Sequence, residues 1–158
     1  VETIFDSLNA KAALVAIKES GTKAPVIISA AVGRGGETMI SAQKVEALWN
    51  TFSHVDPLAI GLNCSLGPDL MEPFLRDLGK AATTNISCYP NAGLPNPLAP
   101  TGFDLEPQHM HDYIAGFAEA GLLNLAGGCG GNTPEHIAAI AKSVQGKAPR
   151  PIPNLTTS

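Results

Sequence analysis

A chain of 158 residues, 44% of them hydrophobic, is long enough for one domain with its own core. Its formal charge of −4 argues against a nucleic-acid or anionic-membrane surface, and no apolar run reaches the length of a membrane span. Three widely spaced cysteines, Cys64, Cys88 and Cys129, make no disulfide framework and read as cytoplasmic thiols open to metal binding or catalysis.

The chain opens at Val1 with no signal peptide and no polar lead-in, as though cut within an element. "VETIF" is β-branched and apolar and reads as a strand. "SLNAKAALVAIKES" carries apolar residues at helical spacing, with Gly21 as its stop. "APVIISAAV" is a short apolar strand and "RGGETMIS" a glycine-rich loop. "SAQKVEALWNTFSHV" is helical, with Ser41 as its N-cap. "PLAIGLNC" is the next strand, and "GPDLMEPFLRDLGKAA" a helix with Pro68 in its first turn. "TTNISCYP" is a strand, followed by the long loop "NAGLPNPLAPTGFD". "EPQHMHDYIAGFAEAG" is a helix, "LLNLAGG" a strand, and "NTPEHIAAIAKSVQG" a helix capped near Asn132 or Thr133. Residues 1–148 form the domain, and 149–158 a Pro-rich tail or the start of a linker.

Five strand–helix units in regular alternation, with uniformly apolar strands, predict a parallel α/β sheet covered by helices. Two architectures satisfy the count. One is a doubly wound open sheet. The other is part of a (β/α)8 barrel, which needs roughly 250 residues when complete. No dinucleotide fingerprint follows any strand. Glu2, Asp6, Asn63, Cys64, Asn91 and Cys129 all fall at the carboxyl ends of predicted strands. That end carries the active site in a barrel and the ligand crevice in an open sheet.

"GGCGGNTP", residues 127–134, sets glycines around Cys129 at such a strand end. Glycine brings backbone close to a neighbour, and cysteine offers a thiolate. Cys64 and Cys129 are either small apolar residues of a core or ligands of a Zn2+ ion, which in catalytic sites keeps three protein ligands and one open position. Cys88 lies further inside its strand and reads as core. His54, His109 and His111 fall on helical stretches at the surface, and His136 in the first turn of the last helix reads as structural. Glu2 is either a surface acid or a ligand for a cationic group.

In this order and spacing, "VETIFDSLNAKAA", "GLNCSLGPDLM", "YPNAGLPN" and "LLNLAGGCGGNTPEHIAAIAKSVQG" resemble the homocysteine-binding barrel of the cobalamin-dependent methionine synthases, within the homocysteine S-methyltransferase family. The resemblance covers nearly the whole chain but only the second half of the family's barrel, from the end of the fourth strand to the eighth helix. The first-half motifs, "DGGMGT"-like and "ETNTF"-like, are absent. It implies a zinc at the strand ends with Cys64 and Cys129 as ligands. The family reads "GGCCG" where this chain reads "GGCGG", so Gly130 stands at the third ligand position. By the same resemblance Glu2 helps to hold the amino-acid part of homocysteine, and Asn63 and Asn91 line the site.

The implied reaction makes methionine. Zinc keeps the homocysteine sulfur anionic, and the sulfur takes a methyl group from methylcobalamin bound by a domain outside this chain. A folate domain and an amino-terminal half-barrel or a second copy complete the expected partners. The isolated chain is expected to be inactive. The alternative is a half-barrel without catalysis, its metal site incomplete at Gly130; an unrelated α/β binding protein is a third reading.

Overall fold

A computed structural model describes residues 1–36 and 44–154. Four strands, β1 (Ile27–Ala30), β2 (Ala59–Asn63), β3 (Asn85–Tyr89) and β4 (Leu125–Ala126), alternate with five helices. The helices are α1 (Ser7–Glu19), α2 (Val45–Phe52), α3 (Pro68–Ala81), α4 (Pro107–Glu119) and α5 (Pro134–Ser143). A 3-10 turn, Ser53–Val55, follows α2. No helix among the described residues is long and apolar enough to cross a membrane.

All strands pair in parallel, in the order β1-β2-β3-β4. That order separates the two architectures left open by the sequence. A doubly wound sheet must reverse direction at a switch point. Here each right-handed crossover steps the same way, which puts α2, α3 and α4 on one face of the sheet. Successive helices accordingly pack on one another. This is the winding of part of a (β/α)8 barrel.

The two faces of the sheet differ. Ile28, Ala30, Ile60, Leu62, Ile86 and Cys88 alternate towards the helices and are buried with Leu48, Phe52, Met71, Leu75, Met110 and Ile114. Cys88 Sγ lies 3.7 Å from Met71 Sδ, as expected of a core cysteine. The opposite face carries Ser29, Gly61, Asn63, Ser87 and Tyr89, which are small or polar apart from the tyrosine ring. Gly61 sits so close to Ser87 that no side chain fits there.

Three elements differ from the sequence reading. "VETIF" hydrogen-bonds to β1 at Val1 and again at Ile4, which bridges Ala30, but is interrupted between them and forms no full strand. The cause is Thr3, whose φ of +53° breaks the extended run. The last strand shrinks to Leu125–Ala126. Asn124 Oδ1 takes the Ile86 N–H at one end, and Gly127 bends over the Tyr89 ring at the other. Helix α2 begins at Val45 with Lys44 as cap, while Ser41, the expected cap, lies outside the described residues.

The remaining boundaries follow their local chemistry. Pro68 opens α3, where its missing N–H is one of the unpaired donors of a first turn. Thr133 caps α5, its Oγ1 accepting the His136 N–H while His136 Nδ1 accepts the Thr133 N–H. Arg150 is buried. Its guanidinium donates to the carbonyls of Gly79 (2.7 Å) in the last turn of α3 and of Ala82 (2.9 Å) and Thr84 (2.9 Å) just past it.

Candidate active site

The carboxyl ends of the strands converge on Asn63, the last residue of β2, which is 3% exposed. Its Oδ1 accepts from Ser29 Oγ at 2.7 Å and from the Thr3 N–H at 3.0 Å. Its Nδ2 donates to Thr3 Oγ1 at 2.7 Å and to Glu2 Oε2 at 3.0 Å, and lies 3.8 Å from Cys129 Sγ. A backbone N–H on one side and a carboxylate on the other allow only this orientation of the amide. Thr3 Oγ1 also donates to Glu2 Oε2.

Beyond Asn63 the backbone turns abruptly. Cys64 and Ser65 both adopt a left-handed conformation, each with φ +61°. Together with Thr3 this makes three left-handed non-glycine residues within one cluster, a concentration of strain typical of functional sites. Cys64 is tied by its N–H to the Tyr89 carbonyl (3.1 Å), and its thiol neighbours that of Cys129. Both thiols are free and half-buried.

Burial raises the Cys129 thiol above its ordinary range. The hydrogen bond from Asn63 pulls the other way, and the neighbouring Cys64 pushes it up again. Cys129 therefore rests as the protonated thiol near neutral pH.

Cys129 is held by the glycine-rich turn. Its N–H donates to the Pro90 carbonyl (2.9 Å), and Asn132 Nδ2 bridges the carbonyls of Pro90 (3.0 Å) and Cys129 (3.2 Å). Asn91 Oδ1 accepts the Gly130 N–H at 2.9 Å, so this predicted site residue braces the turn. Gly131, at φ +77°, lies against the Phe103 ring and admits no side chain. Phe103 thereby seals the long β3–α4 loop against the turn.

Glu2, Asn63, Cys64, Asn91, Cys129 and Gly130 thus share one region. Asp6 stands apart as the N-cap of α1, accepting from Leu8 N–H. His54 is exposed, and His109 caps α4 through the Glu106 N–H. His111 pairs with Asp112. His136 is 1% exposed, with Nε2 2.8 Å from the Leu105 carbonyl, a structural post. Thr3, Ser29, Asn132 and Phe103 were not among the predicted site residues. Thr3 and Ser29 lie at or beside strand ends, where position was a signal, whereas Asn132 and Phe103 lie in loops that carry no such signal.

The donor set can be compared with the metal expected from the resemblance. Cys64 and Cys129 offer two neighbouring thiols. Among the described residues no group of three His, Cys, Asp or Glu side chains could hold a metal ion, and Gly130 contributes nothing. The site in this chain does not fit a zinc held by three protein ligands.

A family model described as "Homocysteine S-methyltransferase" matches residues 1–144. Among solved structures, the fold is similar to that of the homocysteine methyltransferase MmuM from Escherichia coli in its apo form, with a TM-score of 0.68 and 20% sequence identity. The match covers 90% of this chain and 47% of that one, so the chain spans about half of that protein's length.

Proposed function

The chain belongs to the homocysteine S-methyltransferase family, and from that premise we propose that it is the carboxyl-terminal half of a homocysteine-binding barrel of the cobalamin-dependent methionine synthase type. On this reading the homocysteine sulfur accepts a methyl group from methylcobalamin, which another domain carries, and the product is methionine. The remaining strands come from an amino-terminal half-barrel or a second copy. A folate domain supplies methyl groups to the cobalamin.

One observation carries the proposal: a carboxylate and a pair of thiols meet across a single asparagine at the strand ends. Homocysteine is itself an α-amino acid at one end and a thiol at the other. Both protein contacts to Glu2 fall on Oε2, which leaves Oε1 for the substrate ammonium. The substrate sulfur then reaches the Cys64–Cys129 side. Two thiols fall short of the three protein donors of a catalytic zinc, so the reading rests on these substrate contacts.

Gly130 favours a second reading, a truncated or degenerate half-barrel that folds without catalysis, its metal site incomplete. Calorimetric titration with L-homocysteine tests the first. The chain should bind L-homocysteine, and Glu2→Gln should weaken binding at least about tenfold, the loss of a charge-assisted contact. Absence of binding, with the remaining strands supplied, would sink the catalytic reading and leave the second.

A further inference from the structure

The segment that leads into Glu2 is irregular in one specific way. In a regular parallel ladder the N–H and C=O of one residue reach two partners that are two positions apart. The Ser29 N–H donates to the Val1 carbonyl (2.9 Å), and the Ser29 carbonyl accepts from the Ile4 N–H (3.1 Å). Val1 and Ile4 are three positions apart. One extra residue has been inserted opposite Ser29, and the segment bulges at Glu2–Thr3.

The bulge is maintained at a conformational disadvantage. Thr3 is β-branched and left-handed, a combination that the backbone disfavours strongly. What holds it there is Asn63. The Thr3 N–H and Oγ1 grip the two ends of the Asn63 amide at 3.0 and 2.7 Å. Ser29, 1% exposed and directly opposite the bulge, adds a second donor to Asn63 Oδ1 at 2.7 Å. The residue that the bulge straddles therefore also fixes the amide that the bulge grips.

We propose that Thr3 and Ser29 are positioning residues. Together they hold Asn63 with Oδ1 turned into the sheet and Nδ2 turned outwards, and the bulge aims the Glu2 carboxylate at the ammonium of an amino-acid substrate. A flat strand would direct Glu2 by the ordinary alternation of the pleat, without the Thr3 hydroxyl at Oε2. The role of this device in substrate binding rests on the function proposed above, whereas the orientation of Asn63 does not.

The test separates the two. In the 15N-labelled full chain, the Asn63 side-chain amide pair, assigned by its loss in Asn63→Asp, should exchange slowly with solvent. Glu2→Gln should shift it. Thr3→Val keeps the branched shape and removes the hydroxyl, and it should speed exchange by about tenfold, the equivalent of one good hydrogen bond. Thr3→Ser restores the hydroxyl and should stay close to the unaltered chain. Ser29→Ala should also speed exchange; if that variant does not fold, Thr3→Val and Thr3→Ser decide. Unchanged exchange in Thr3→Val overturns the proposal. In calorimetry, Thr3→Val should weaken L-homocysteine but not 2-mercaptoethanol, which has the thiol without the amino-acid end. Equal weakening of both would also overturn it. The slow-exchange signature without any L-homocysteine binding would keep the positioning of Asn63 and reject the proposed function.

Discussion

Two residues show how much rests on a single side chain. Gly130 occupies the third ligand position implied by the resemblance, and a Cβ there would meet Asn91 Oδ1 at 3.0 Å and the Phe103 ring at 3.1 Å. Those neighbours need to give only a few tenths of an ångström, so Gly130→Cys should fold. It should raise zinc affinity by more than the roughly 10–100-fold associated with losing a partner of a metal ligand. Zinc titration against a competing chelator measures this, with Gly130→Ala as the control for bulk alone. Equal affinities for Gly130→Cys and the unaltered chain would mean that position 130 is not at a metal. Cys88 makes a different prediction. Its complete burial raises the thiol far above its ordinary range. The unfolded chain releases this proton near pH 8.5–9 while the folded chain keeps it, so the group's contribution is complete below that pH and declines above it. Stability should fall by about 1.4 kcal/mol per pH unit beyond that point from this group. Urea unfolding at pH 8, 9 and 10 checks the slope, and Cys88→Val should reduce it.

At the level of elements, the helices and the alternation of strand with helix along the chain were legible in the sequence because apolar periodicity and cap residues are local, whereas the order of strands in the sheet was not. Pro68, Thr133 and the apolar strands at β2 and β3 all act where they stand. The bulge at Glu2–Thr3 was not legible, since "VETIF" has the composition of a plain strand and only Asn63, sixty residues away, holds Thr3 left-handed. The site shows the same division. The types and strand-end positions of Cys64, Cys129 and Glu2 pointed to one mouth, but the hub role of Asn63 depends on Ser29 and Thr3, which carry no pattern of their own. Arg150 is a third instance. In sequence it belongs to a Pro-rich tail; in the fold its N–H donates to the Leu123 carbonyl (3.0 Å), its own carbonyl accepts from Asn124, and its guanidinium satisfies carbonyls in the last turn of α3 and just past it. Arg150→Met keeps the aliphatic stem and removes three charge-assisted bonds. It should cost about 3 kcal/mol of stability in urea unfolding. Loss of less than about 0.5 kcal/mol would place Arg150 among ordinary surface residues.

For the whole molecule, the decisive feature is winding in one direction. A sheet of order β1-β2-β3-β4 with its helices on one face has a second face and two edges that those helices do not cover. At the β1 edge the segment from Val1 to Ile4 hydrogen-bonds to β1 on either side of its bulge. At the other, β4 is two residues long and half-buried. The second face is not a plain hydrophobic one. It carries Ser29, Asn63 and Ser87, and Ser87 Oγ is buried with no hydrogen-bond partner among the described residues. An orphaned buried hydroxyl costs about 1–3 kcal/mol, a cost that falls on this chain alone. Further strands beyond β1 and β4 would pair with the edges and cover them. The chain should therefore associate, with a second copy when nothing else is present, over an interface of the size that obligate pairs bury, on the order of 2,000 Å2 or more. Sedimentation equilibrium across a wide concentration range reads this directly. The expected species is heavier than the 16.3 kDa chain and dissociates on dilution. A monomer of that mass at every concentration, with the Ser87 hydroxyl still slow to exchange, would show that the open sheet is stable alone and that its second face needs no partner.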